Sequence, residues 1–290
     1  MRILLTGGSG DLGQVLSMEL DVRGDIPVRF DVRAPLNNRG EVIQGSILDR
    51  ALLKQSMGGI DCVVHIAAWH GIHEATHTKD VYQFWDLNVT GTFYVFEAAA
   101  QAGVKRIVYI SSESVKDWSG IYGHTKVVGE EIAHAYAKRH GLQVLILRPR
   151  AFIPFWNREV YPSFVEWAKW FWPGAVHIDD VSQAVIKAID FLPNQSLSSP
   201  LVLPVDGAYE YTDQDLTTWD IDGPGTTFRK YYAEYYDMAV GYGLNPAQKP
   251  EKLDITETCH WLSYNPQYSL KTLLMELERF GVKGPPSPNY

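Results

Sequence analysis

The stretch Met1–Gly13, MRILLTGGSGDLG, decides the fold. Its first part, RILLT, is a short apolar run that stops at Gly7, and Gly7, Gly10 and Gly13 then follow at three-residue intervals into a helix-like stretch from Leu12 to Leu20. A strand that turns through spaced glycines into a helix brings backbone N–H groups and the positive end of the helix dipole to one point. That is where a pyrophosphate needs close backbone approach, and it places Asp11 and Leu12 beside the ligand. Asp31 follows Gly13 by 18 positions, in the next strand-like run VRFDV. A carboxylate there accepts from both ribose hydroxyls and repels a 2′-phosphate, so NAD is the expected cofactor. Arg33, two positions on, keeps NADP open, and a solvent-facing aspartate after a plain glycine turn is the bland alternative.

Working outward, RILLT, VRFDV, DCVVHIA, RIVYIS and QVLILR alternate with amphipathic stretches: Leu12 to Leu20, the region of Ala51 to Met57, Phe84 to Gly103 and Tyr122 to His140. Continuous apolar strands alternating with helices predict an α/β fold, a Rossmann-type doubly wound parallel sheet. After Arg150 the texture changes to proline and tryptophan, with Trp156, Trp167, Trp170 and Trp172 close together. A helix-like DDVSQAVIKAIDFL and a strand-like LVLPV come next, then an aromatic RKYYAEYYDMAVGYG and a terminal LKTLLMELERF. The expected division is a cofactor half over 1–150, to which 178–206 returns. Residues 151–177 and 207–290 form a smaller, partly interleaved substrate lobe.

The 26 basic and 34 acidic residues give a net charge of −8 with no basic stripe, which disfavours a nucleic-acid partner. No apolar run approaches the roughly 20 residues of a membrane span, and the N-terminal strand runs straight into glycines rather than resembling a signal peptide. A cytoplasmic protein is expected. Cys62 and Cys259 read as ordinary reduced thiols.

Tyr122 and Lys126, four apart, share one face of a helix that follows the strand RIVYISS. An ammonium beside a phenol stabilises the phenolate and makes it a usable acid or base. Many helices carry such a pair by chance, but strand C-termini point at the ligand crevice of an open α/β sheet. Ser111 and Ser112 end that strand, so one of their hydroxyls is expected to polarise a substrate oxygen. His70, His73 and His77 form an HxxHxxxH pattern compatible with a metal site, a substrate contact or solvated loop residues; no metal is expected. The tryptophans read first as core or lid packing, and a pocket for an apolar or ring-shaped substrate would also use them.

Together these pieces resemble an extended short-chain dehydrogenase/reductase of the NAD-dependent epimerase/dehydratase family: TGGSGDLG, FDVR, GSILD, VVHIAAW, NVTGT, YISSESV, YGHTK, LRPR, VHIDDV and ITETCHWLSYNPQYSL, in family order over nearly the whole chain. The resemblance implies Ser112 as the catalytic hydroxyl, Tyr122 as acid/base and Lys126 as its activator and ribose ligand. It implies Asn88 behind the active site, with Ala67, Ala68 and Pro149 along the cofactor. Ser46 and Ile47 stand at the expected adenine contact, where Ser46 replaces the family's aspartate and leaves Asp49 to cap the next helix. Trp69, His70, His73, Glu113, Phe152 and Trp156 are the expected substrate contacts. His177 and Asp180 match a structural motif. Only ten positions separate Ser112 from Tyr122, a shortened loop, and Glu113-Ser114 stands where family dehydratases carry Asp-Glu.

The expected activity is hydride transfer at a carbinol or carbonyl carbon of a small sugar, sugar acid or related compound. Only 26 residues lie between Arg150 and His177, fewer than family members use to grip a nucleotide diphosphate. The alternatives are a sugar-nucleotide epimerase and a cofactor-sensing protein without turnover. A homodimer through the Phe84–Gly103 and Tyr122–His140 stretches is expected.

Overall fold

The computed structural model describes residues 1–36, 39–223 and 225–288. Strands β1 Arg2–Thr6, β2 Ile26–Asp31, β3 Glu41–Gln44, β4 Cys62–His65, β5 Arg106–Ile110, β6 Gln143–Pro149 and β7 Leu201–Val205 form one sheet in the order β3-β2-β1-β4-β5-β6-β7. Every pairing is parallel, for example Leu4 with Val28 on one side and with Val63 on the other.

The strands are apolar on both faces because both faces are covered. Ile3, Leu5, Val64, Val108 and Leu147 point to a core shared with helices α1 Asp11–Val22 and, further along the chain, Ile178–Phe191. The alternate residues Leu4, Val63, Ile107, Tyr109 and Ile146 enter a second core on the opposite face. That core is covered by α2 Arg50–Ser56, the helix Thr92–Ala102 and the helix Ile121–His140. α2 starts at Asp49, whose carboxylate accepts from Ala51 N and Leu52 N at 3.1 Å each, the capping expected from the sequence.

Between α2 and β5 the structure departs from the single long helix expected over Phe84–Gly103. A short α3 Gly71–Ala75 and α4 Val81–Phe84 lead into a π-helical turn, Trp85–Gly91, and only then into α5 Thr92–Ala102. The wider turn carries Asn88, consistent with the tendency of such bulges to sit at functional places. Helix α6 is Ile121–His140, α7 Phe164–Phe171 and α8 Ile178–Phe191.

A third, aromatic core lies outside the sheet, with Phe155, Trp167, Phe171 and Trp172 packed on Phe228, Tyr232 and the terminal helix Leu270–Phe280. His177 and Asp180 join this lobe to the sheet. The His177 ring stacks on Tyr268 with centroids 4.3 Å apart, and the Asp180 carboxylate accepts from Gln267 N at 2.7 Å and Tyr268 N at 3.0 Å. Among the described residues no helix is long and apolar enough to cross a membrane.

The chain runs out to β3 at one edge and returns to β4 on the other side of β1, so the strand order reverses between β1 and β4. In open α/β sheets a crevice forms at that point beyond the strand C-termini. Here it is a cleft of about 860 Å³.

Candidate active site

The glycine turn forms the floor of the cleft. Gly7 has φ +73°, and a Cβ there would lie 2.9 Å from Ala67 N at the end of β4. At Gly13 a Cβ would meet Gly7 O at 2.5 Å and Gly8 Cα at 2.6 Å, so the helix must start without a side chain. Gly8, which the three-residue spacing passes over, is equally confined, since its Cβ would be 2.8 Å from Arg29 Cβ.

Gly10, Asp11 and Leu12 line the cleft with Ser46, Ile47, Ala67, Ala68 and Pro149. The Asp31 carboxylate is held by Ser9 N at 3.0 Å and Arg33 N at 2.9 Å, which fixes it at the cleft and leaves acceptor capacity for a ligand. Arg33 Nε lies 3.8 Å from it on a side chain two-thirds exposed. Burial raises the Asp11 carboxyl, which accepts from Asn157 Nδ2 at 3.2 Å and ties the chain after β6 across the turn.

The chemistry-bearing groups come from β5 and α6. Ser111 and Ser112 take different directions. The Ser111 hydroxyl donates to Glu130, itself paired with Arg148, whereas Ser112 Oγ lies at the cleft, accepting from Ser114 N at 3.1 Å. The shortened loop closes as a 3-10 turn, Glu113–Lys116, and still brings Tyr122 to Ser112. Burial raises the Tyr122 phenol, and the Ser112 hydroxyl is the neighbour that pulls it back.

Lys126 is arranged differently from the sequence expectation. Its Nζ donates to Ile110 O at 2.7 Å and lies 5.8 Å from the Tyr122 ring centroid, and burial pushes it down to about 7. Burial thus works against the charged form of both groups. Charging both groups together is the state their mutual attraction favours.

Asn88 does not line the cleft. Its side chain accepts from Trp69 N at 2.7 Å, donates to Trp69 O at 3.0 Å, and donates to Thr125 Oγ1 at 3.0 Å, pinning the chain after β4 to α6. Its side chain holds these two segments together rather than reaching the cleft. Trp69, His70, His73 and Phe152 line the cleft, whereas Glu113 and Trp156 do not. Glu113 is turned to Lys116, and Trp156 packs against Phe155.

His70 presents its surface to the cleft, where enclosure by protein, with Lys126 nearby, holds its imidazole toward the neutral form. Its ring centroid is 5.7 Å from that of His73, which burial also lowers. Among the described residues no group of three His, Cys, Asp or Glu is placed to hold a metal ion.

Sequence reasoning missed Glu74. Its carboxylate accepts from Ile121 N at 2.7 Å and Tyr122 N at 3.0 Å, capping α6 from α3, while Gly71 packs on the Tyr122 ring. Helix caps are worth about 1 kcal/mol, and a shift of the phenol by an ångström is costly to catalysis. Glu74→Ala is expected to lower kcat by about tenfold with cofactor affinity intact, and Glu74→Gln to recover part of it. Kinetics unchanged beside a lowered Tm would make the cap purely structural.

Residues 3–153, just over half the chain, match the NAD dependent epimerase/dehydratase family. The chain belongs to that family. It is 28% identical over 168 residues to the uronate dehydrogenase of Pseudomonas putida, a match covering 51% of this chain and 59% of that one. It is 32% identical over 171 residues to the 3 beta-hydroxysteroid dehydrogenase/Delta 5-->4-isomerase of Mycobacterium tuberculosis, covering 51% and 46%. The chain spans about half the length of the curated relatives it matches. Among solved structures, the UDP-glucuronic acid 4-epimerase of Bacillus cereus in complex with UDP-glucuronic acid and NAD superposes with a TM-score of 0.69 at 20% identity, over 95% of this chain and 97% of that one, which shows a shared fold.

NAD fits the cleft of this family member. The glycine turn clears space that a Cβ would fill, the α1 N-terminus at Gly10 has no side-chain cap and is open to an anion, and the Asp31 carboxylate keeps acceptor capacity at the cleft that ribose hydroxyls would use.

Proposed function

We propose that this chain catalyses NAD-dependent hydride transfer at a carbinol or carbonyl carbon of a small hydroxy or carbonyl compound, with Tyr122 as acid/base. The observation that carries the proposal is the convergence of Ser112, Tyr122 and Lys126 on the same cleft as the Gly7–Gly13 turn and Asp31. A sensor needs only the latter two. When bound, NAD supplies the hydride acceptor, held by Gly10, Asp11 and Leu12 at its pyrophosphate, Asp31 at the adenosine ribose and Lys126 at the other ribose.

The protein's share is geometry and the proton. Ser112 donates to the substrate oxygen, the Tyr122 phenolate removes the hydroxyl proton during oxidation, and the Lys126 ammonium stabilises that phenolate. Asn88 and Glu74 hold the two chain segments that carry these groups in register.

A dehydrogenase is favoured over a sugar-nucleotide epimerase. The cations among the described lining residues are Arg33, Lys126 and Arg150; Arg33 sits beside Asp31, Lys126 beside Tyr122, and Arg150 is paired with Asp206 and Glu251. Arg33 lies on the Asp31 side of the cleft, so the substrate side offers a second diphosphate no uncommitted cation among the described residues. The test is to incubate the protein with NAD and alcohols of several classes and follow nicotinamide absorbance with product analysis. Net NADH formation supports the proposal, and an epimerised product without net NADH would replace it with the epimerase.

The proposal includes a homodimer through the α4–α6 face, which exposes Val81, Tyr82, Trp85 and Phe93. Light scattering is expected to give twice the chain mass. A monomer throughout the micromolar range would refute the pairing.

A further inference from the structure

The cleft wall beyond Ser112 and Tyr122 is apolar. Trp69 and Ile72 come from the chain after β4, Phe152, Ile153 and Val160 from the segment after β6, and Trp170 from α7. Of the polar groups interleaved with them, Arg150, Asn157 and the Ile153 carbonyl are already spoken for by the protein, while Glu159 is exposed to solvent and Tyr161 is buried with its ring against Trp170. The Arg150 guanidinium donates to Glu251 O at 2.6 Å and to its carboxylate at 3.0 Å, and lies 3.6 Å from Asp206. The Asn157 side-chain amide donates to Asp11, and the Asn157 backbone carbonyl accepts from Val160 N at 3.1 Å and Tyr161 N at 3.0 Å. Ile153 O accepts from Trp167 Nε1 at 2.8 Å. Apart from Glu159 and Tyr161, the uncommitted polarity is gathered at Ser112 and Tyr122, with His70 and His73 at the mouth, where His73 Nδ1 already accepts from His70 N at 3.0 Å.

Such a wall suits a molecule with one oxygen function and an apolar body. A polyol would bury several hydroxyls against carbon, and each unpaired hydroxyl loses its hydrogen bonds to water without replacement. A uronate carboxylate would need the cation that Arg150 has already given to Asp206 and Glu251. Broad aromatic faces pack well against rings.

We infer that the substrate is an apolar, ring-bearing secondary alcohol or its ketone. This inference rests on the proposed hydride transfer and turns the sequence-based preference for sugars toward a hydrophobic carbinol. In the forward sense the carbinol carbon loses hydride to NAD and the hydroxyl proton goes to Tyr122. The alcohol is thereby oxidised to the ketone as NAD is reduced to NADH.

The test is a titration of the NADH-saturated protein with trans-2-decalone, glucuronate and UDP-glucose, followed by tryptophan fluorescence. Decalone is expected to bind at least about tenfold more tightly than either polar probe. Ile153→Asp, with Val160→Asp as a second variant, is expected to weaken decalone binding by about tenfold and leave NADH affinity unchanged. Tighter binding of glucuronate or UDP-glucose, no binding of decalone, or decalone binding indifferent to both folded variants would overturn the inference. Failure of NADH itself to bind would instead strike the cofactor assignment beneath it.

Discussion

Tyr122→Phe is expected to lose about 10²- to 10⁴-fold in kcat while cofactor affinity stays unchanged, since that range is what one positioned acid/base group contributes. The substitution removes a single hydroxyl. The ring keeps its place under Gly71, where a Cβ would lie 3.3 Å from Tyr122 Cδ1, and the backbone keeps its cap from Glu74. Cofactor contacts at the glycine turn and Asp31 are made by other residues. Single-turnover kinetics and a cofactor titration on the same preparation separate the two properties. An unchanged rate would hand the proton to another cleft group such as His73, since Glu113 is turned to Lys116.

Lys126→Met is expected to abolish turnover and weaken the cofactor, yet to make the protein more stable near neutral pH. Lys126 is 4% exposed, and its folded pKa is depressed from 10.5 to about 7 by burial. The sign follows from proton linkage. Below pH 7 both folded and unfolded chains carry the proton, and the folded state bears the whole cost of a buried ammonium. Between about 7 and 10.5 the unfolded chain binds more protons, so stability rises with pH, and above 10.5 the penalty is gone. The hydrogen bond to Ile110 O offsets part of it. Methionine carries no such penalty and should gain on the order of 2 kcal/mol at pH 6, a gap that narrows steadily as pH rises past 7. Denaturant unfolding of both proteins between pH 6 and 10 measures this. A variant less stable than the parent at pH 6 would mean that the ammonium stabilises the site that holds it.

The sheet and the glycine turn were legible because their causes are local. Continuously apolar strands covered on both faces, and glycines at places where a Cβ has no room, leave marks within a few residues. β3 left none, because EVIQ is an exposed edge strand with no apolar run. The π-helical turn at Asn88 was also silent, since one extra residue in a helix scarcely disturbs an apolar pattern. Tyr122, Lys126 and Ser112 could be picked out because position after a strand end adds meaning to a short motif. Glu74 could not, because its partners lie 47 and 48 positions away and a glutamate in a histidine-rich loop carries no spacing signal. Arg150 presented the opposite difficulty. A cation at the cleft looks available for an anion until the fold brings Glu251, 101 positions later, against it. The tryptophans divided in the same way, Trp167 and Trp172 filling the aromatic core while Trp69 and Trp170 face the cleft.

All of this depends on the cleft holding a nicotinamide dinucleotide over the Gly7–Gly13 turn with Asp31 at its ribose. Calorimetric titration with NADH and NADPH, on the wild type and on Asp31→Ala, tests that dependence most directly. Saturable binding of one NADH per chain is expected, at least about tenfold tighter than NADPH because a carboxylate at a closed site repels a 2′-phosphate, with the discrimination lost in Asp31→Ala. Equal affinity for both dinucleotides would contradict the role of Asp31, and no saturable binding of either would contradict the cofactor site itself.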